Sequence, residues 1–314
     1  MTQRKTIAVI GATGAQGGGL VRAILADPQG GFAARAITRD VSSDKAKALA
    51  AMGAEVVAGD VDDEQSLARA FDGAYGAYCV TFYWAHFKPE LEISQARNMA
   101  NAAKAARLQH VIWSTLEDTR TMVRADEMPT LMGKYKVPHF DAKGEADRFF
   151  RESGVPTTFL YASYYWDNLI YFGAGPAKGE DGKLHFTLPT ANEKMAGIAA
   201  EDIGRVAYGI FKAGSRYFGQ RVGAAGEQLT GSEMAEKLSR ALGQEVRHNA
   251  MSPEAYRQLG FPGADDLGNM FQFYRDYAES LNQLRDVSRS RGLNPSLLSF
   301  DDWLAKYKDR IPVS

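Results

Sequence analysis

One cysteine is all the thiol chemistry this chain carries. Cys79 has no second cysteine to pair with, so internal disulfides and cysteine-based metal sites are excluded, and a reducing compartment suits it. An excess of one charge is missing too. The 37 lysines and arginines nearly balance 38 acids, for a net charge of −1, so no global field draws the chain to nucleic acid or an anionic membrane. No apolar run approaches the roughly 20 residues needed to span a bilayer. The N-terminal "QRKTIAVIGATGAQGGGLVRAIL" sets basic residues before an apolar stretch, but glycines interrupt it and Arg22 is charged. A signal peptide needs an unbroken apolar region, so the reading is a cytoplasmic protein. The five histidines show no H-x-x-x-H spacing and there is no G-x-S-x-G elbow, so neither a metal site nor a serine nucleophile is indicated.

What is present is a regular alternation. "TIAVIGA" is a short β-branched run ending in glycine, hence a buried strand, and "QGGGLVRAILAD" follows as a helix. "FAARAIT", "AEVVAGD", "AYGAYCVTF", "HVIWST" and "VPTTFLYA" are the next strands. Between them lie helices over "DKAKALAAMG", "VDDEQSLARAFDG" (capped at Asp62 with Gln65 three on), "EISQARNMANAAKAARL", and from His139 to Gly154. Strand–helix alternation implies parallel pairing through right-handed crossovers. The expectation is an α/β fold: a Rossmann-type doubly wound sheet over residues 1–160, then a smaller, less regular α/β subdomain over 161–314 with elements returning to the sheet. In the second half, "GAGPAKGEDGKLHFTLP" (173 to 189) reads as an excursion or lid and "QRVGAAGEQLT" as one strand. "QFYRDY" reads as an aromatic core or inter-subunit helix.

Between the first strand and helix stands Gly11-Ala12-Thr13-Gly14-Ala15-Gln16-Gly17. Glycines at this G-x-x-G-x-x-G spacing let backbone turn tightly and approach a pyrophosphate, and the helix N-terminus offers amides and a positive dipole end. At the end of the second strand, an acid holds a ribose 2′-hydroxyl and an arginine accommodates a 2′-phosphate. Here Arg39 leads, with Ser42, Ser43 and Lys45 behind it, which favours NADP(H) over NAD(H), while the adjacent Asp40 keeps both open. Asp60, closing the third strand, suits a place beside the adenine.

At this point the sequence resembles the NmrA-like family of atypical short-chain dehydrogenases/reductases, and within it the NADPH-sensing members. "GATGAQGG", "TRD", "GAEVVAGDVDD", "VTFYW", "HFDAKGE", "GVPTTFLYASYYWDNL" and "LGFPGADDLGNMFQFY" carry the likeness nearly end to end. The resemblance implies nucleotide contacts from Gly11 to Gln16, Arg39 to Ser43, Asp60 with Val61, and Thr81-Phe82-Tyr83. It also implies contacts from Lys143 and from Tyr165, Trp166, Asp167 and Asn168.

An active short-chain reductase uses a tyrosine acid, a lysine four residues on and a serine. Ser114 and Lys143 fit the last two places, but His139 occupies the tyrosine's. An imidazole can act as a general acid near neutral pH, so His139, Lys143 and Ser114 form the candidate catalytic set; a structural or capping histidine is the plainer alternative. The reading is an NADP(H)-binding redox sensor or regulator, with an NAD(P)H-dependent reductase of quinones or other carbonyls as the alternative. A protein partner and a homodimer fit it, while direct nucleic-acid or membrane contact does not.

Overall fold

The computed structural model describes residues 4–313. In chain order the first elements are β1 (Lys5–Val9), α1 (Ala15–Leu25), β2 (Phe32–Thr38), α2 (Asp44–Ala51), β3 (Glu55–Ala58) and α3 (Glu64–Phe71). There follow β4 (Gly76–Cys79), α4 (Pro89–Ala105), β5 (His110–Thr115), α5 (Pro138–Ser153), β6 (Thr157–Tyr161), β7 (Tyr164–Tyr165) and α6 (Asn168–Tyr171). Next come β8 (Ala177–Lys178), β9 (Leu184–Thr187), β10 (Met195–Ile198), α7 (Ala200–Ala213), β11 (Arg221–Gly223) and β12 (Glu227–Leu229). The last are α8 (Gly231–Leu242), β13 (Val246–Asn249), α9 (Pro253–Arg257), α10 (Ala264–Asp276), α11 (Ala278–Leu284), α12 (Val287–Leu293) and α13 (Phe300–Tyr307).

Two compact units share these elements. The first takes residues 1–118, 139–162 and 201–222; the second takes 119–138, 163–200 and 223–314. Among the described residues the first unit holds a seven-stranded sheet in the order β11-β6-β5-β4-β1-β2-β3. The pairings from β3 through to β6 are parallel, with Val9 opposite both Ala36 and Tyr78. Helices flank the sheet and bury the middle of the central strands, which is why Ile7-Ala8-Val9 of β1 and Val111-Ile112-Trp113 of β5 read as apolar runs. Ile7, Ala8, Val9, Val111, Ile112 and Trp113 have no exposed surface. The strand order reverses between β1 and β4, and ligands of such sheets bind outside the carboxyl ends at that switch point.

Two helices of this unit touch backbone to backbone. A Cβ at Gly19 of α1 would collide with the Glu201 carbonyl, and one at Gly204 of α7 with the Leu20 nitrogen and the Gln16 carbonyl. The glycine-rich start of α1 therefore serves packing as well as any ligand.

In the second unit, β10 pairs with β12 and β7, and β9 pairs with β13 and β8. Thr230 and Glu233 form a capping box on α8, and Gly243 closes it in the left-handed conformation.

Four expectations change. A cut at residue 160 captures only part of the division. Residues 119–138 join the second unit because α10 holds their backbone: Asn269 donates to the Pro129 and Lys136 carbonyls, and Gln272 to that of Glu127. The 173–189 excursion contains paired strands, since Leu184 and Phe186 alternate onto one buried face. The stretch 220–230 is two strands in different sheets, broken where the Gly226 amide turns to the Gly197 carbonyl. Helix α3 is capped by Asp63, which accepts from the Gln65 and Ser66 amides, because Asp62 instead accepts from Gln95. Among the described residues no helix is long and apolar enough to cross a membrane.

Candidate functional site

The first unit's switch point is built from the loops after β1 and β4. Gly11 leaves β1 with φ +66°, the left-handed conformation that glycine adopts without strain. At Gly17 a Cβ would stand 2.5 Å from the Gly11 carbonyl, so only glycine lets α1 pack this closely on the turn. Gly14 caps α1 with no side-chain hydrogen bond. A helix N-terminus has amides with no intrahelical partner and a positive dipole end, so this one is chemically suited to phosphate.

Gln16 stands in the first turn of α1. Its Oε1 accepts from the Tyr78 hydroxyl, and from Ser114 Oγ at 2.9 Å. The serine expected to orient a substrate carbonyl is thus bonded to the first turn of α1, and Gln16 joins the ends of β4 and β5 to that helix.

Arg39 and Asp40 follow β2, both exposed. Among the described residues no protein group pairs with the Arg39 guanidinium. Asp40 Oδ1 accepts from the Ser42 amide at 2.8 Å and from Ser42 Oγ at 2.6 Å. Those bonds hold its carboxyl below the usual range. Ser43 Oγ caps α2 through the Ala46 amide. Asp60 follows β3 and accepts from the Asp62 amide, while the Val61 carbonyl accepts from Asn98.

The β4 strand stops at Cys79, which is buried. Thr81 and Phe82 follow it, and Tyr83 starts a 3-10 turn; Thr81 and Tyr83 are buried while Phe82 is 59% exposed. Lys143 comes to Thr81 from α5. Its Nζ donates to Thr81 Oγ1 at 2.6 Å and to the Thr81 carbonyl at 3.2 Å, and lies 2.8 Å from Glu92 Oε1. The Trp113 ring is under the ammonium, 5.5 Å away. Glu92 has no exposed surface. Burial pushes its carboxyl up, but Lys143, His86 and Thr81 outweigh that and bring it down to about 2, so it stays ionised.

Sequence reasoning missed Glu92. The signal was its place on the stripe Glu92, Ala96, Met99, Ala103 of α4, whose other members are buried and apolar. Asp147, one turn beyond Lys143, was missed as well. It accepts from Trp113 Nε1 and Thr115 Oγ1, and burial, opposed by Thr115, Arg151, Trp113 and Tyr161, raises it to about 6.

His139 is buried at the start of α5. Its ring lies 4.7 Å from Trp84, 4.8 Å from Phe140 and 5.9 Å from Tyr83. Tyr165 to Asn168 belong to the second unit. There Trp166 packs on Phe300 and Trp303, Asp167 Oδ2 accepts from the Ala200 amide, and Asn168 begins α6.

An open, doubly wound sheet with a glycine loop at its switch point defines the class: an α/β protein of the Rossmann type. The chain belongs to the NmrA-like family, matched over residues 3–304. It is 30% identical over 257 residues to the NmrA-like family domain-containing oxidoreductase notA' of Aspergillus versicolor, covering 75% of this chain and 68% of that one. With the NmrA-like family domain-containing oxidoreductase lnbB of Aspergillus flavus the identity is 26% over 290 residues, 87% and 84% of the two chains. The crystal structure of NmrA, a negative transcriptional regulator, shares the fold at TM-score 0.77 and 24% identity, covering 96% of this chain and 95% of that one. NmrA has also been solved in complex with NADP and with NAD.

Proposed function

We propose that this protein binds NADP(H) in the first unit and reads its redox state as a sensor or regulator. The observation that carries the nucleotide is the pair at the end of β2. Arg39 is exposed, with no protein partner among the described residues, while the Asp40 carboxylate is occupied by Ser42. A guanidinium there suits a 2′-phosphate, and an acid committed to its own loop is less available to a ribose 2′-hydroxyl. The tight approach at Gly17 and the side-chain-free cap at Gly14 suit a pyrophosphate. That NmrA is solved with either dinucleotide supports the ligand class.

The regulatory reading rests on the tyrosine's absence. The residue four before Lys143 is a histidine packed among Trp84, Phe140 and Tyr83, and Ser114 is engaged by Gln16. Such a sensor passes its state to a protein partner, and the cytoplasm is where it would meet the NADPH pool. A second reading, an NAD(P)H-dependent reductase of quinones or other carbonyls, is favoured by the oxidoreductase names of its relatives. Bound NADPH would supply a hydride, and Lys143, held at the carboxyl end of β4, would be the cation to bind the nicotinamide ribose.

Titration with NADPH and NADH, followed by cofactor oxidation across a quinone and aldehyde panel, separates these. NADPH binding tighter than NADH without turnover fits the sensor, and turnover above that of a Gly14→Asp variant moves the assignment to the reductase. If neither dinucleotide binds, both readings fail.

A further inference from the structure

Lys143 has a histidine, not a tyrosine, four residues before it, yet its ammonium is heavily organised. Its three N–H donors are matched by three protein acceptors, Glu92 Oε1, Thr81 Oγ1 and the Thr81 carbonyl. The arrangement is directional: Lys143 donates to Thr81 Oγ1, and that hydroxyl donates on to Glu92 Oε1 at 2.5 Å. Behind the carboxylate, His86 Nε2 lies 3.5 Å from Glu92 Oε2, while His86 Nδ1 accepts from the Lys88 amide. With Nδ1 accepting, the ring proton stands on Nε2, the nitrogen that faces the carboxylate.

A buried ion pair of this kind is a poor stability device, because well-packed apolar residues usually do as well or better. Its effect falls on the lysine. A lysine with little exposure and no counter-ion gives up its proton readily. Here the Thr81 carbonyl fixes the ammonium at the carboxyl end of β4, where the ligand crevice of an open sheet lies.

We propose that Glu92 is the positioning residue of the nucleotide site: directly and through Thr81 it supplies the Lys143 ammonium with its counter-ion and its aim, so that the ammonium can exchange the longer Thr81 carbonyl bond for a nucleotide hydroxyl. The proposal rests on the NADP(H) reading and names the group that sets its lysine. The groups surrounding Lys143 are Glu92 on α4, His86 behind it, the Trp113 ring of β5, and Asp147 and His139 one turn either way along α5. Asp147 is bonded to Trp113 and Thr115, and His139 is packed on Trp84. Glu92 is the carboxylate in direct contact with the ammonium.

Competitive labelling of the ligand-free protein with acetic anhydride, read at Lys143 by mass spectrometry, reports where the amine loses its proton. In Glu92→Gln the labelling midpoint should fall by about one to two pH units. Glu92→Asp should recover part of that, and Thr81→Val should move it the same way by less. NADPH titration is the second arm. The parent's dissociation constant should be nearly flat between pH 7 and pH 9, and that of Glu92→Gln should rise about tenfold over the same span. Lys143→Met should abolish the pH dependence in the Glu92→Gln background.

An unmoved labelling midpoint in both Glu92→Gln and Thr81→Val would overturn the proposal. So would a moved midpoint with an unchanged NADPH profile, which would leave the pair merely structural. If the parent binds no NADPH, the nucleotide reading fails and takes the proposal with it, whereas a binding parent with an insensitive Glu92→Gln sinks the proposal alone.

Discussion

Arg39 and His139 carry the sharpest consequences of single side chains. An exposed guanidinium that meets a 2′-phosphate distinguishes two otherwise similar dinucleotides, so Arg39→Ala should weaken NADPH by roughly tenfold or more, about 1.4 kcal/mol, and barely affect NADH. Equal losses in parallel titrations would remove the 2′-phosphate from this position. His139 is held by ring contacts with Trp84, Phe140 and Tyr83. His139→Phe should preserve most of that packing and leave NADPH affinity within about threefold, whereas a large loss would make the imidazole a ligand of the nucleotide. Glu92 teaches a lesson about reading. An acid in the first turn of a helix looks like an ordinary dipole partner; only its coincidence with the apolar stripe of α4 marks it as buried, and only the fold brings Lys143, fifty-one positions later, onto it.

At the scale of elements, the same substitution should have opposite signs in two helices. Gly204→Ala drives a methyl into the α1 backbone, and relief requires the two helices to separate. Overpacking of this kind costs on the order of 3 kcal/mol, or roughly 5 °C in Tm for a chain of this size. Gly292→Ala in α12 meets nothing within 4 Å and removes an exposed helical glycine, so thermal unfolding should move upward, reflecting a gain of up to about 1 kcal/mol. Comparable shifts in both variants would mean that α1 and α7 are not in contact as described. Strand and helix alternation was readable because buried parallel strands are rich in apolar and β-branched residues, and β2 and β5 fall on the stretches read for them, Phe32–Thr38 and His110–Thr115. Residues 220–230 were not readable in the same way. "RVG" and "EQL" both suit a strand, and the break between them depends on Gly226 finding Gly197, a partner distant in sequence. The clustering of Gln16, Tyr78 and Ser114 was hidden for the same reason.

For the whole molecule, two buried groups titrate against each other. His110 bonds Thr158 Oγ1 through Nε2, and burial lowers it to about 4. Its contribution to stability is complete above about 6.5 and is lost as pH falls towards 4. Asp147 is raised to about 6, so its contribution is complete below about 4 and is lost as pH rises to 6. Between pH 4 and 6 unfolding binds one proton at His110 and releases one at Asp147, so the two slopes cancel. Urea denaturation across this range should show Asp147→Asn gaining on the parent by up to about 1.4 kcal/mol per pH unit, and His110→Gln should expose the opposite slope. A pH-independent difference in either variant would mean that its group does not titrate there. A different consequence follows from the way each unit is assembled from three stretches of chain. A chain that has emerged from a ribosome as far as residue 162 possesses β6 but not β11, its neighbour in the finished sheet. Until synthesis has passed residue 223, that flank is a bare strand edge of the sort that recruits other chains. Manufacture of this protein therefore includes an interval of exposure, and truncation anywhere before β11 would make the interval permanent.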